Sequence, residues 1–200
     1  MRKKTEKKRQ EIIQAASEIF RELGFERASM SKICTRFGGS KTTLYNYFSS
    51  KEELFVEVVS LANADDFDFA HETINNQIDN MNEQLYIFAR RFLHFLYSPK
   101  LMKIRRITIS QSGITDLGKF TYKSRIVKSN KILSTYLQKA IEEKKIKKTD
   151  TTIAAKHLFA LIESELMHEF LFQVDVKFEN EQMDEMAKRA VDVFICAYGI

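Results

Sequence analysis

An all-α protein is what the sequence predicts: a small three-helix N-terminal domain followed by a larger helical bundle, about nine helices in total. Three observations carry that expectation. Apolar residues recur at three- and four-residue spacing along most of the chain. Only one proline (Pro99) and six glycines interrupt the 200 residues. No alternating β-branched run of the kind that forms a half-buried strand is present. A hydrophobic content of 44% with 30% charged residues suits a folded chain and not a disordered one. Sixteen phenylalanines and seven tyrosines add large apolar volume for a core or a pocket.

The first helix is expected from about Thr5 to Leu23, because Ile12, Ala16, Ile19 and Leu23 share one face, joined by Ile13 and Phe20. Gly24 then fits the left-handed position after a helix, with Phe25 placed to pack on Phe20. Ser29 is a candidate N-cap for a short second helix whose inner face is Met30, Ile33 and Phe37. Gly38 and Gly39 end it, and Ser40 caps a third helix over Lys41–Tyr47. Ser50-Lys51-Glu52-Glu53 reads as a capping box in which the Glu53 carboxylate returns to the Ser50 amide. A fourth helix follows from Lys51 into the seventies. Further helices are read at roughly 82–98, 100–111, 116–146, 150–173 and 179–197. The domain boundary is placed after Lys51, giving residues 1–51 and 52–200.

Charge divides the chain at the same place. Residues 1–51 hold twelve Lys/Arg against five Asp/Glu, a net of +7, whereas residues 52–200 hold twenty against twenty-two, a net of −2. A basic quarter on a near-neutral remainder points to a polyanion for the first part, a solubilising basic tail being the alternative. Cys34 and Cys196 form no disulfide or metal pattern, which fits a reducing cytosol, and Cys34 is read as a small residue at a helix crossing, a reactive thiol being the alternative. No stretch approaches the roughly 18 apolar residues of a membrane span, and the N-terminus lacks the apolar region of a signal peptide. A cytoplasmic location and no membrane partner are therefore expected.

The chemistry lies in SMSKICTRFGGSKTTLYNYFSSK, residues 29–51. Two short helices around a glycine turn form a helix-turn-helix, whose second helix enters a major groove. At 100° per residue, Leu44 and Phe48 face inward while Thr42 and Asn46 face outward, flanked by Thr43 and Tyr45. That outer face offers hydrogen-bonding groups and no carboxylate. Threonine methyls suit thymine and asparagine suits an adenine edge. Lys41 can reach a phosphate or a guanine, Tyr45 and Tyr47 offer hydroxyls to phosphates, and Ser29, Ser40 and Lys51 complete the candidate DNA-binding set. The basic run Arg2, Lys3, Lys4, Lys7, Lys8 and Arg9 either adds backbone contacts or is a solvated tail.

The run GFERASMSKICTRFGGSKTTLYNYFSSKEELF resembles the N-terminal domain of TetR/AcrR-family transcriptional regulators over about residues 8–56. It departs from the family pattern at Phe37 and Gly39, where many relatives carry alanine and a branched aliphatic. The resemblance implies a homodimer that sets two recognition helices in successive major grooves of a palindromic operator and represses by obstruction. The stretch from Arg105 to Ile162 resembles the AefR-like subgroup, with Gln111, Thr115 and Lys145 where an acidic residue, a proline and a glycine are common.

Two C-terminal helices are apolar on more than one stripe and need two partners. In the family such a pair meets its symmetry mate, which nominates Phe159, Ile162, Leu166, Phe170, Val191, Phe194 and Ile195 for dimerisation, the alternative being monomer core. A site for a small apolar or amphipathic ligand is expected among the middle helices, lined by Phe88, Phe92, Phe95, Met102, Ile109, Phe120 and Tyr122, each of which could equally be core. Release from the operator by such a ligand is the expected mechanism.

An enzyme is the main competing class. Glu165 and His168 form one E-x-x-H step, but a di-iron bundle needs a second, and no HExxH, Walker loop or nucleophile elbow occurs. No cofactor or metal is expected. An architectural nucleic-acid protein would explain the basic N-terminus but not the long apolar remainder.

Overall fold

The computed structural model describes residues 5–75, 80–174 and 179–200, and these are helical with no β-strand among them. Arg2, Lys3 and Lys4 of the basic run lie outside the described residues. The helices are α1 (Glu6–Arg27), α2 (Met30–Phe37), α3 (Lys41–Tyr47), α4 (Lys51–Ala62), α5 (Ala64–His71), α6 (Met81–Leu96), α7 (Pro99–Gln111), α8 (Leu117–Thr121), α9 (Val127–Glu142), α10 (Thr151–Glu163), α11 (Met167–Leu171) and α12 (Asn180–Tyr198). A 3-10 turn, Glu72–Asn75, follows α5, and a π-helical turn, Tyr122–Ile126, precedes α9.

The chain forms two compact units. One gathers the residues up to Ala64 together with Ile107–Ser124, and the other Asp65–Arg106 with Arg125–Ile200. The first has a core of Ile12, Ala16, Phe20, Phe25, Ile33, Leu44, Phe48, Leu54 and Phe55, to which α8 adds Leu117. This compact unit thus runs beyond Lys51 through α4. The second packs α6 against α12 and α9 against α10 around Leu85, Phe88, Leu93, Tyr136, Leu158 and Phe194.

Several helices are shorter than their apolar pattern. The fourth stops at Ala62, because the buried Asn63 amide donates to the Val59 carbonyl (2.7 Å) and the backbone there leaves the helical region. The stretch expected as 116–146 divides into α8, the π-helical turn and α9, and the stretch 150–173 divides at Ser164, whose hydroxyl donates to the Leu161 carbonyl. In both places the apolar pattern runs straight through. Pro99 opens α7 rather than standing between helices, as its fixed φ favours.

Gly24 has φ 73° and ψ 171°, an extended left-sided conformation open essentially to glycine alone, not the left-handed helical cap the sequence suggested. It still turns Phe25 back onto Phe20, with ring centroids 6.3 Å apart.

In the second unit Arg105 donates to Glu163 (2.5 Å), which also accepts from the Tyr97 hydroxyl (3.1 Å), while the guanidinium lies over the Phe170 ring at 4.3 Å. Burial and the neighbouring carboxylate push the Tyr97 phenol up from its usual range.

Candidate nucleic-acid interface

The interface is built by three serine caps. Ser29 Oγ accepts the Lys32 amide (3.3 Å) to start α2, Ser40 Oγ accepts the Thr43 amide (3.0 Å) to start α3, and Ser50 Oγ accepts the Glu53 amide (3.1 Å) to start α4. The Glu53 carboxylate does not return to Ser50. It accepts instead from both the amide and the hydroxyl of Ser49 (2.6 and 2.7 Å).

The turn between α2 and α3 explains the two departures at Phe37 and Gly39. Gly38 sits at φ 71° and its amide donates to the Cys34 carbonyl. A Cβ on Gly39 would overlap the Phe37 ring, so the aromatic at 37 and the missing side chain at 39 compensate each other. The Cys34 thiol is buried and donates to the Gly39 carbonyl (3.2 Å), a packing role. Arg36 braces the outside of α2 against α1 by bonding Glu18 and Glu22, which holds both carboxyls below their usual range.

On α3, Leu44 and Phe48 are buried in the first unit's core, which points the opposite face outward. Lys41, Thr42, Tyr45 and Asn46 are exposed, Tyr45 by 52%. None of these four side chains is held by a hydrogen bond or ion pair within the described residues, so their donors and acceptors are available to a ligand. Thr43 is half-buried and shares a hydroxyl contact with Ser40 (2.9 Å).

Four candidates have structural employment. Ser29 and Ser40 are caps. Tyr47 is half-buried, and its hydroxyl accepts the Thr5 amide (2.8 Å), tying the end of α3 to the start of α1. The Lys51 ammonium donates to the Phe25 carbonyl (3.0 Å) and lies 4.2 Å above the Phe25 ring. Sequence reasoning missed both brackets, since positions 42 residues apart and 26 residues apart give no local signal. Arg9, from the basic run, is paired with Glu57 on α4 (2.6 Å).

The candidate ligand residues are shared between the two units. Phe88, Phe92, Phe95 and Met102 belong to the second unit, where the first two are buried and the others pack against its core. Ile109, Phe120 and Tyr122 belong to the first, where Phe120 packs on the core and Ile109 and Tyr122 are about half exposed. Helix α7 passes from one unit to the other after Arg106.

Of the dimerisation candidates, Ile162, Leu166, Phe170, Val191 and Phe194 are buried in the protomer's own core, and Phe159 packs against Phe88 and Phe92. A side chain with no exposed surface has none to give a second copy. The outward apolar residues of the same helices are Ile153, Leu171 and Val193, beside the half-buried Ile195. Glu165 of the E-x-x-H step is paired with Arg189 (2.7 and 2.9 Å), whose hydrogen bonds outweigh the upward push of partial burial and hold the carboxyl below the usual range.

Comparison with known proteins agrees with this geometry. Residues 12–58 match the family described as bacterial regulatory proteins, tetR family, and residues 83–200 match the AefR-like transcriptional repressor, C-terminal domain. The HTH-type transcriptional activator FasR of Mycolicibacterium smegmatis is 43% identical over 54 residues, which are 27% of this chain and 25% of that protein. UidR of Escherichia coli K12, an HTH-type transcriptional regulator, is 47% identical over 51 residues, 26% of each chain. These matches span about a quarter of the curated relatives' length. A crystal structure of a TetR-family regulator from Mesorhizobium loti superposes with a TM-score of 0.78 at 29% identity, covering 98% of this chain and 100% of the other. The flavonoid-responsive regulator FrrA gives 0.73 at 26% identity, covering 98% of both.

Proposed function

This chain belongs to the TetR family of helix-turn-helix transcriptional regulators, with an AefR-like C-terminal domain, and from that premise we propose that it is a repressor released from a palindromic operator by a small molecule. The observation that carries the reading is the outward face of α3: Lys41, Thr42, Tyr45 and Asn46 are exposed, unengaged and free of carboxylates. Asn46 reads an adenine edge and Thr42 and Thr43 offer methyls to thymine, while Lys41 and Tyr45 hold phosphates. Ser40, Ser29, Tyr47 and Lys51 act by fixing the pose of α3 and the start of α4.

DNA reading is assigned to residues 1–51 and dimerisation and sensing to residues 52–200. A second copy covers the outward apolar residues of α10, α11 and α12, and so presents two recognition helices to one duplex. For dimeric helix-turn-helix proteins the half-sites lie about one helical turn apart, roughly 34–36 Å. The ligand is small and apolar or amphipathic, the location is the cytoplasm, and no enzymatic activity is assigned. No helix among the described residues is long and apolar enough to cross a membrane.

The test is selection of bound fragments from the source genome, followed by competition with random DNA. A specific regulator recovers a discrete site and prefers it by about 10³-fold or more at physiological salt. Equal affinity for the selected and random fragments would refute the reading in favour of an architectural role.

A further inference from the structure

The start of α1 is held firmly where a helix end would ordinarily fray. The Thr5 amide donates to the Tyr47 hydroxyl at 2.8 Å, and that hydroxyl lies 3.4 Å from the Thr5 carbonyl, to which it donates in return. Thr5 is also the N-cap of α1, its Oγ1 accepting the Lys8 amide at 3.3 Å. One turn on, the Lys8 ammonium lies 4.6 Å from the centre of the Phe37 ring, at the end of α2. Arg9 lies over the Phe48 ring at 5.6 Å, just past α3, and pairs with Glu57 of α4 at 2.6 Å. The first turn of α1 is thus fastened to α2, α3 and α4 together.

These contacts divide the basic run. Lys8, which also pairs with Glu11 at 2.8 Å, and Arg9 are engaged within the fold. Arg2, Lys3 and Lys4 stand immediately before the clasped residue, with no carboxylate side chain among residues 1–5. Tyr47 in turn follows Asn46, which is exposed on the outward face of α3. The clasp therefore ties three consecutive cations to the end of the helix read as entering a major groove. Three residues reach about 10 Å. Across one line of phosphates from the major groove lies the minor groove, about 6 Å wide. A clasp that only stabilised the fold would need no cations before it, and a tail that only aided solubility would need no anchor.

We propose that Tyr47, by clasping Thr5, delivers Arg2, Lys3 and Lys4 to the minor groove beside each half-site, where they favour A·T pairs. Tyr47 is a positioning residue, and the three cations make the contacts. The minor groove of A·T runs is narrow and carries an enhanced negative potential that attracts arginine and lysine. Contacts to phosphates alone would be indifferent to the bordering bases. This inference rests on the reading of α3 as a recognition helix and names a further element of its target.

The test uses the full-length protein and two labelled duplexes that share the selected half-sites and differ only in the A·T or G·C pairs bordering them. Fluorescence anisotropy across a salt series gives the affinity ratio and the salt slope. The wild type should prefer the A·T-bordered duplex by about fivefold or more. Combining Arg2→Ala, Lys3→Ala and Lys4→Ala should abolish that preference and flatten the salt slope by about one unit or more. Tyr47→Phe keeps the ring and removes both hydrogen bonds, and it should abolish the preference as well. Added to the triple variant, it should change the ratio no further. The ratio discriminates because a merely structural loss weakens both duplexes alike. Thr5→Pro, which lacks the donor N–H, reads the same loss should Tyr47→Phe fail to fold. A wild type indifferent to the bordering pairs, or a preference that survives the triple variant or the broken clasp, overturns the proposal. Selected half-sites bound no better than random DNA would instead overturn the regulator reading.

Discussion

Replacing Lys51 with methionine separates two roles that the sequence could not tell apart. The side chain keeps its volume and loses its charge. In the structure the ammonium donates to the Phe25 carbonyl at 3.0 Å and rides 4.2 Å above the Phe25 ring, tying the start of α4 to the Gly24–Phe25 corner. A charged hydrogen bond contributes about 1.5–3 kcal/mol, and the lower half applies because Lys51 is half-buried and reached by water. The ring contact adds about 0.5–1 kcal/mol. The expected loss is therefore about 2–3 kcal/mol, read as a lower urea midpoint at constant slope. Engaged in this way, Lys51 neutralises no phosphate, so the dependence of DNA affinity on salt should change by well under the roughly 0.9 units per phosphate expected for a direct contact. Fluorescence anisotropy on a labelled duplex across a salt series gives that slope. A stability change below about 0.5 kcal/mol together with a slope lower by a full unit would show that the lysine leaves Phe25 and binds DNA.

Asn46→Ala should weaken the selected site by about 1–3 kcal/mol and leave random DNA unaffected, checked by competition binding; equal losses on both would rule out base reading by Asn46. Gly24→Ala should destabilise by about 1–3 kcal/mol, since φ 73° with ψ 171° is open essentially to glycine alone, and urea unfolding measures it. His71 has its pKa lowered from 6.5, chiefly because burial disfavours the imidazolium. The unfolded chain then binds the extra proton first, so this contribution is present above pH 6.5 and is lost as pH falls below it. His71→Phe should flatten the fall in urea midpoint between about pH 6.5 and 5, and an unchanged fall would mean that other groups cause it.

What the sequence revealed of the fold depended on range. The caps at Ser29, Ser40 and Ser50 and the corner at Gly24 were legible because each acts within four residues. The limits of the longer helices were not. Asn63 ends α4 with a side-chain bond to Val59, yet the apolar spacing continues across it as though the helix did. The same holds at Ser164 and at the π-helical turn, where periodicity reports which face is buried and not whether the backbone bonds are unbroken. Tertiary brackets were the least visible. Nothing near Tyr47 in the chain predicts that its hydroxyl will hold the Thr5 amide.

The candidate site was legible for a further reason. DNA presents the same phosphates and groove edges to every protein that reads it, so the outward face of a recognition helix must carry a restricted chemistry: a cation at its start, small hydrogen-bonding groups, no carboxylate. Lys41, Thr42 and Asn46 meet that requirement on their residue types and spacing alone. A small-molecule site has no such fixed complement. An aromatic residue that lines a pocket and one that fills a core obey the same burial rule, so Phe88 and Phe92 satisfied both readings and could not be assigned. His71 and Ser129 are polar where apolar groups would serve, and the Thr73 and Asn130 oxygens are buried without partners. None of the four stands out in the sequence, because their distinction lies in the burial and pairing that only the folded chain defines.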